Sequence, residues 1–117
     1  MGYLMRKEDL KPVEIYEPVR KIIRSWPSEV RQELGAVLIR LQRDEFVGMP
    51  DVRAMPSISK GVFEIRLKSK EGAYRVFYVA VSVRGLLVFH AFLKKSEQTT
   101  KKELDSAKSR LKSFIRE

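Results

Sequence analysis

Hydrophobic and polar residues alternate along residues 62–95 in the way that β-strands require. In the first run, VFEIRLK, the residues Phe63, Ile65 and Leu67 point to one side, and the charged residues between them point to the other. AYRVFYVAVSV and LLVFHAFL are two further apolar runs, and the short segments SKEG and RG separate the three. The pattern predicts an antiparallel meander of three strands, with an apolar row and a charged row on the first strand.

Upstream of these strands, apolar residues recur with the period of an α-helix. One stripe begins after Pro18 with the spacing i, i+3, i+4 and i+7, and it predicts a helix that ends near Pro27. A second stripe predicts a helix from about Pro27 to Arg43. The two helices should form a hairpin that covers the apolar row and leaves the charged row free. The stripes consist of Val19, Ile22, Ile23 and Trp26, and of Val30, Leu34, Val37, Leu38 and Leu41.

The remaining segments have weaker patterns. Residues 1–12 are expected to be loose, and Lys11–Tyr16 alternates weakly enough to predict only a short edge strand. Asp44–Lys60 contains glycine and prolines but little periodicity, so it is predicted to be a long loop that either has a binding role or wraps the core. Thr100 followed by Glu103 has the spacing of a capping box, which predicts a C-terminal helix.

Length and composition are those of one globular domain spanning residues 1–117. The chain is 44% hydrophobic and 33% charged, and it is long enough for one core but too short for two ordinary domains. The expected fold class is α+β, with an N-terminal helix hairpin packed on a small antiparallel sheet and a C-terminal helix. The sequence has neither an apolar run that would span a membrane nor the apolar core of a signal peptide, so a cytoplasmic location is expected.

The residue types exclude several kinds of chemistry. The chain has no cysteine and one histidine, which excludes disulfides, thiolate catalysis and metal sites built from cysteine or several histidines. No cofactor or metal is expected. The net charge of +9 favours a polyanionic partner, either nucleic acid or an acidic protein.

The strongest candidate site is the set of cations on the predicted strands. Several cations on one face and at the strand ends predict a phosphate-binding surface. They are Arg66, Lys68, Arg75, Lys94 and Lys95. His90 has an ordinary pKa near neutrality, but alternation places it with Val88 and Phe92, so a hydrogen-bonded, half-buried histidine fits the pattern as well as a catalytic one. Tyr74 either stacks on bases or packs within the sheet.

Four segments, taken in order, resemble those of a known family: WPSEVRQELGAVLIRLQ, GVFEIR, GAYRVFY and HAFLKKSEQTTKKELDSAKSRLKSF. From Val19 to Phe114 the chain resembles the phage-derived, HigB-like branch of the RelE superfamily, toxins of type II toxin–antitoxin systems. The resemblance implies two N-terminal helices on an antiparallel sheet and metal-independent endoribonuclease activity on mRNA in the ribosomal decoding site. It also implies contacts with ribosomal RNA and inhibition by an antitoxin, usually a helix-turn-helix protein. The toxin would be a monomer when free and would form a hetero-oligomer with its antitoxin.

The resemblance also implies a set of site residues. Arg66 of EIR and Arg75 of YRV would be the central phosphate-facing cations, and His90 and Lys94 would complete the catalytic set. Further RNA contacts are expected from Lys68, Lys95, Lys101, Lys102 and Tyr74.

Two positions depart from related toxins. Glu64 stands where some relatives have a lysine, and Lys101 stands where they place a tyrosine. Glu64 could act as a base or pair with Arg66, so the acid and base roles are expected to be distributed differently here. Each cation also has a structural interpretation, as a member of an ion pair or as a solvated strand end. Two other functions stay open: a ParE-like toxin that binds DNA gyrase without cleaving anything, and a phage-derived nucleic-acid-binding module without catalysis.

Overall fold

A computed structural model describes residues 10–82, 85–95 and 100–115, which form five strands and three helices. In chain order these are β1 (Val13–Ile15), α1 (Glu17–Arg24), α2 (Ser28–Gln42), β2 (Val52–Ala54), β3 (Val62–Ser69), β4 (Gly72–Ser82), β5 (Gly85–Lys94) and α3 (Lys101–Ile115). The predicted loose residues before position 10, Arg84 of the predicted RG turn and residues 96–99 lie outside the described residues. None of the described helices is both long and apolar enough to cross a membrane.

The strands form one sheet in the order β1-β5-β4-β3-β2. β3, β4 and β5 form the predicted antiparallel meander, because short connections join neighbouring strands. The predicted edge strand is β1, and it pairs parallel to β5. The α+β prediction, with a helix hairpin and a C-terminal helix, is confirmed.

α1 and α2 form the predicted hairpin and cover one face of the sheet. Pro18 lies in the first turn of α1, where its missing N–H costs no helical hydrogen bond. The indole ring of Trp26, between the helices, packs on the ring of Tyr74 with centroids 4.7 Å apart. The apolar row of β3 contributes Ile65 and Leu67 to this core, as predicted. Other buried members are Val19, Ile23, Val30, Leu34, Val37, Leu38, Val47, Val52, Val76, Tyr78, Leu86, Val88 and Ala91.

α3 covers part of the opposite face and has a core of its own. The Thr100 hydroxyl accepts a hydrogen bond from the backbone N–H of Glu103 at 3.3 Å, as the capping pattern predicts. The Glu103 side chain, however, bonds to His90 on β5, so the second half of the capping box is not formed. The buried members of this core are Met55, Val62, Phe77, Leu87, Phe89, Phe92, Ala107 and Leu111.

The charged row of β3 is less free than predicted. Lys68 is exposed and Arg66 is half-buried, but Glu64 is fully buried. The reason is that side chains from the neighbouring strands close over Glu64, as described below. The expectation of an open charged face is therefore wrong at this position.

One extra residue in β5 changes the face that the second half of the strand presents. Two consecutive residues of β4 pair with His90 and Val88, so Phe89 lies between them without a partner in β4. Such a β-bulge interrupts the alternation of side chains. His90 therefore shares a face with Phe92 but not with Val88, and the predicted parity of His90 with Val88 is wrong.

β2 lies within the segment that was predicted to be a loop. It pairs antiparallel with β3, and Arg53 stands directly opposite Glu64. Three residues are too few for a period of two to be recognised. The loop prediction is consequently wrong at Val52–Ala54.

Candidate functional site

Cationic side chains from four neighbouring strands meet on the face opposite the hairpin. Arg53 comes from β2, Arg66 from β3, Arg75 from β4 and Lys94 from β5, and we call these four residues the cation cluster. Arg66 and Arg75 are direct cross-strand partners. Like charges in such a pair repel one another, so the cluster requires a negative charge close by.

Glu64 supplies that negative charge and is 0% exposed. Its Oε1 atom lies 3.2 Å from Nη2 of Arg53, 3.7 Å from Nε of Arg66 and 3.9 Å from Nη1 of Arg75. Within the described part of the chain, neither oxygen of this carboxylate and no Nε atom of the three arginines has a hydrogen-bond partner. Charge attraction therefore holds the guanidinium groups around Glu64, and their N–H donors can bind an anionic ligand.

Burial changes the proton affinity of two members of the cluster. Arg75 is 4% exposed, and burial lowers its pKa; Glu64 opposes this effect, and the charges of Arg66 and Arg53 add to it. Burial also lowers the pKa of Lys94, and the charge of Arg75 acts in the same direction. An ammonium group with a lowered pKa is a stronger acid, so Lys94 is suited to donating a proton.

His90 lies on the same face of the sheet as the cluster, and both of its ring nitrogens are engaged. Nε2 is 2.9 Å from Oε1 of Glu103, and Nδ1 is 3.0 Å from Nη1 of Arg110. A guanidinium group can only donate hydrogen bonds, so Nδ1 of His90 must accept the one from Arg110. In the neutral ring the proton is therefore on Nε2, which donates a hydrogen bond to Glu103. Burial is the main cause that lowers the pKa of His90, although the hydrogen bond with Glu103 opposes it. This geometry favours the hydrogen-bonded interpretation of His90 over the catalytic one.

We expect the free energy of unfolding to fall as the pH drops below the unfolded-state pKa of His90. The folded-state pKa lies below the ordinary value of 6.5. The stabilisation from a neutral His90 is therefore complete above about pH 6.5 and is lost as the pH falls toward the folded-state pKa, by about 1.4 kcal/mol per unit of difference. Urea denaturation at about pH 7.5 and pH 5.5 measures this loss. The His90→Gln variant should lose less stability between the two pH values, and an equal loss in both proteins would contradict the expectation.

The predicted lysine contacts are exposed. Lys68 continues the charged row of β3, Lys95 follows the end of β5, and Lys101 and Lys102 begin α3. Lys101 also lies 3.4 Å from a carboxylate oxygen of Asp105, four residues later on the helix. Within the described ranges, no group of three or more His, Cys, Asp or Glu residues could hold a metal ion.

Tyr74 lies on the other face of the sheet. It is buried against Trp26 in the hairpin core, so the sheet separates it from the cation cluster. Tyr78 belongs to the same core, its ring is stacked on Phe63, and burial raises its pKa to about 12. Both tyrosines therefore pack within the sheet, and Tyr74 is too far inside the hairpin core to stack on an RNA base at the cation cluster.

Three residues near the site were missed by sequence reasoning: Arg53, Glu103 and Arg110. Arg53 lies in the segment predicted to be a loop. Glu103 and Arg110 are seven residues apart, which places them on one side of a helix, two turns from each other. That spacing is the only signal in the sequence that they could share a partner on the sheet, and His90 is that partner.

Comparison with known proteins identifies the family. Residues 21–112 match the family model described as phage derived protein Gp49-like (DUF891). The chain belongs to this family. A comparison with curated proteins gives no match.

The fold of this Gp49-like protein is also that of a solved toxin. It is similar to the free state of an arginine-to-alanine double mutant of the E. coli toxin RelE, with a TM-score of 0.55 and 20% sequence identity over 91% of this chain and 98% of that chain. At this identity, the likeness shows a shared fold. Membership of this phage-derived family and the shared fold agree with the predicted resemblance to the RelE superfamily, and the HigB branch stays a prediction.

Proposed function

We propose that this Gp49-like protein is a ribosome-dependent mRNA endoribonuclease, the toxin of a toxin–antitoxin pair. The observation that carries the proposal is the cation cluster, in which Arg53, Arg66 and Arg75 surround a buried carboxylate on the face opposite the hairpin, and Lys94 lies on the same face. Such a site has the charge to bind an RNA phosphate and the donors to stabilise additional negative charge on it. The site lies on a fold shared with a bacterial toxin, which supports this assignment.

The proposed reaction is a transesterification that needs no metal. The 2′-oxygen of a ribose forms a bond to the adjacent phosphorus and loses its proton to a solvent water molecule, the bond from phosphorus to the 5′-oxygen breaks, and that oxygen receives a proton. The products are a 2′,3′-cyclic phosphate and a free 5′-hydroxyl. Arg66 and Arg75 stabilise the negative phosphorane, and Lys94 donates the proton to the leaving oxygen because its pKa is lowered.

The same proposal defines the partners of the protein. Messenger RNA and ribosomal RNA are polyanions, and the exposed Lys68, Lys95, Lys101 and Lys102 offer further positive charge to them. The ribosome would hold the mRNA in the geometry for in-line attack. A cognate antitoxin, expected to be a helix-turn-helix protein, would form a hetero-oligomer with the toxin and block the site in the cytoplasm.

A translation reaction with a defined mRNA tests the function directly. Purified protein should produce new 5′ ends within translated codons, detected by primer extension. An otherwise identical mRNA without a start codon should stay intact, because it does not enter the decoding site. Arrested translation with intact mRNA would refute the proposal, and DNA breaks that depend on gyrase would point to a ParE-like toxin instead.

A further inference from the structure

Glu64 lies in the proposed active site but is not accessible to RNA. The residue is 0% exposed, and the guanidinium groups of Arg53, Arg66 and Arg75 surround it. A general base must come within hydrogen-bonding distance of the 2′-hydroxyl, directly or through one water molecule. The buried position therefore argues against Glu64 as the base and leaves a role that acts through the arginines.

The three arginines depend on one atom of Glu64 for their arrangement. Their side chains come from β2, β3 and β4, yet each places a nitrogen within 3.9 Å of Oε1. Arg53 and Arg66 are partly exposed, with 39% and 25% of their side chains accessible, so both have room for other rotamers. Without the carboxylate, the paired Arg66 and Arg75 would repel each other and the long side chains would separate.

We propose that Glu64 is a positioning residue, which holds Arg53, Arg66 and Arg75 together so that they bind RNA phosphate in one fixed arrangement. The identity of the ligand rests on the proposed function above. Glu64 also reduces the net charge of the site, because four cations and one carboxylate give +3. Replacing Glu64 with glutamine raises the net charge to +4 and removes the attraction that orders the arginines. Affinity and catalysis should therefore change in opposite directions.

The experiment compares Glu64→Gln with Glu33→Gln, which makes the same chemical change at an exposed position of α2. Two binding measurements use inorganic phosphate and a non-cleavable 2′-O-methyl oligoribonucleotide, each at several salt concentrations. Glu64→Gln should bind the oligonucleotide about twofold to tenfold more tightly, with a salt slope steeper by up to about 0.7. In the translation assay its cleavage rate should fall by about tenfold or more, because the donors are no longer preorganised. Glu33→Gln should match the wild type in every measurement.

Several outcomes would overturn the inference. If a folded Glu64→Gln protein cleaves mRNA at the wild-type rate, the arginines do not need Glu64 to hold them in position. Binding that weakens in parallel with cleavage would show a general loss of structure. If the wild-type protein cleaves no mRNA, the proposed function fails; Glu64→Gln that then binds phosphate and the oligonucleotide as the wild type does would overturn a role for Glu64 in the site as well.

A second variant covers the case in which Glu64→Gln does not fold. Glu64→Asp keeps the negative charge and shortens the side chain by one carbon. Its affinity for phosphate should stay at the wild-type value, whereas its cleavage rate should fall because the arginines cannot all reach the shorter carboxylate. A folded Glu64→Asp protein with the wild-type rate would overturn the inference.

Discussion

Replacing Arg75 with alanine is expected to reduce mRNA cleavage by about 10²-fold to 10³-fold, the usual effect of removing one donor to a developing anion. Arg75 is the most buried arginine of the cation cluster, with only 4% of its surface exposed. A buried guanidinium acts in a low-dielectric environment, where its interaction with a phosphorane is less screened than at the surface. The rate of appearance of new 5′ ends in the translation reaction measures the loss.

The matched control for Arg75→Ala is Arg24→Ala. Arg24 is exposed at the end of α1, on the hairpin side of the sheet, so its removal takes away the same charge far from the cluster. We expect wild-type cleavage from this variant. Arg75→Lys separates loss of the guanidinium from loss of the charge, because lysine keeps the charge but lacks the planar fork. If folded Arg75→Ala cleaves mRNA as fast as Arg24→Ala, Arg75 has no role in the reaction.

Replacing Phe77 with alanine is expected to lower the free energy of unfolding by about 3–5 kcal/mol, the range for large-to-small changes at buried aromatic positions. Phe77 is 0% exposed on β4, and its ring is 5.6 Å from that of Phe92 and 5.7 Å from that of His90, measured between centroids. The cavity would lie between the sheet and α3, beneath the hydrogen bonds of His90. Chemical denaturation at constant pH measures the change.

Phe46 provides a control with the same side chain in the opposite environment. It is 89% exposed in the segment between α2 and β2. Phe46→Ala removes no buried contact, so its free energy of unfolding should stay within about 0.5 kcal/mol of the wild type. If both variants lost the same free energy of unfolding, the core between α3 and the sheet would not contribute to stability as its burial implies.

The sequence predicted the elements that have enough residues to show a period. The stripes that include Val19 and Leu34 are repeated over two or more turns, and the alternation around Ile65 extends over seven residues. These patterns predicted the hairpin, the meander and the shared face of Arg66 and Lys68, whereas the family resemblance implied that Arg66 and Arg75 both face the phosphate. A repeated pattern is informative because burial acts on every member of a face at once.

The missed features depend on single residues or on contacts between distant segments. The bulge at Phe89 adds one apolar residue to an apolar strand, so neither composition nor hydropathy distinguishes it. Arg53 lies on a strand of three residues, which is too short for a periodic signal. The pairing of His90 with Glu103 and Arg110 arises only when α3 packs on β5, and no local pattern determines that packing.

The bulge at Phe89 decides which changes in the length of β5 the site can tolerate. Val88, before the bulge, faces the hairpin. After the bulge, Ala91 faces the hairpin, and Lys94 lies on the opposite face as part of the cation cluster. Deleting Phe89 would leave Val88 and His90 paired with the same two residues of β4, so Leu93 and Lys94 would keep their faces. The strand can therefore lose its unpaired residue without losing the site, whereas a residue inserted between Ala91 and Lys94 would turn Lys94 toward the hairpin.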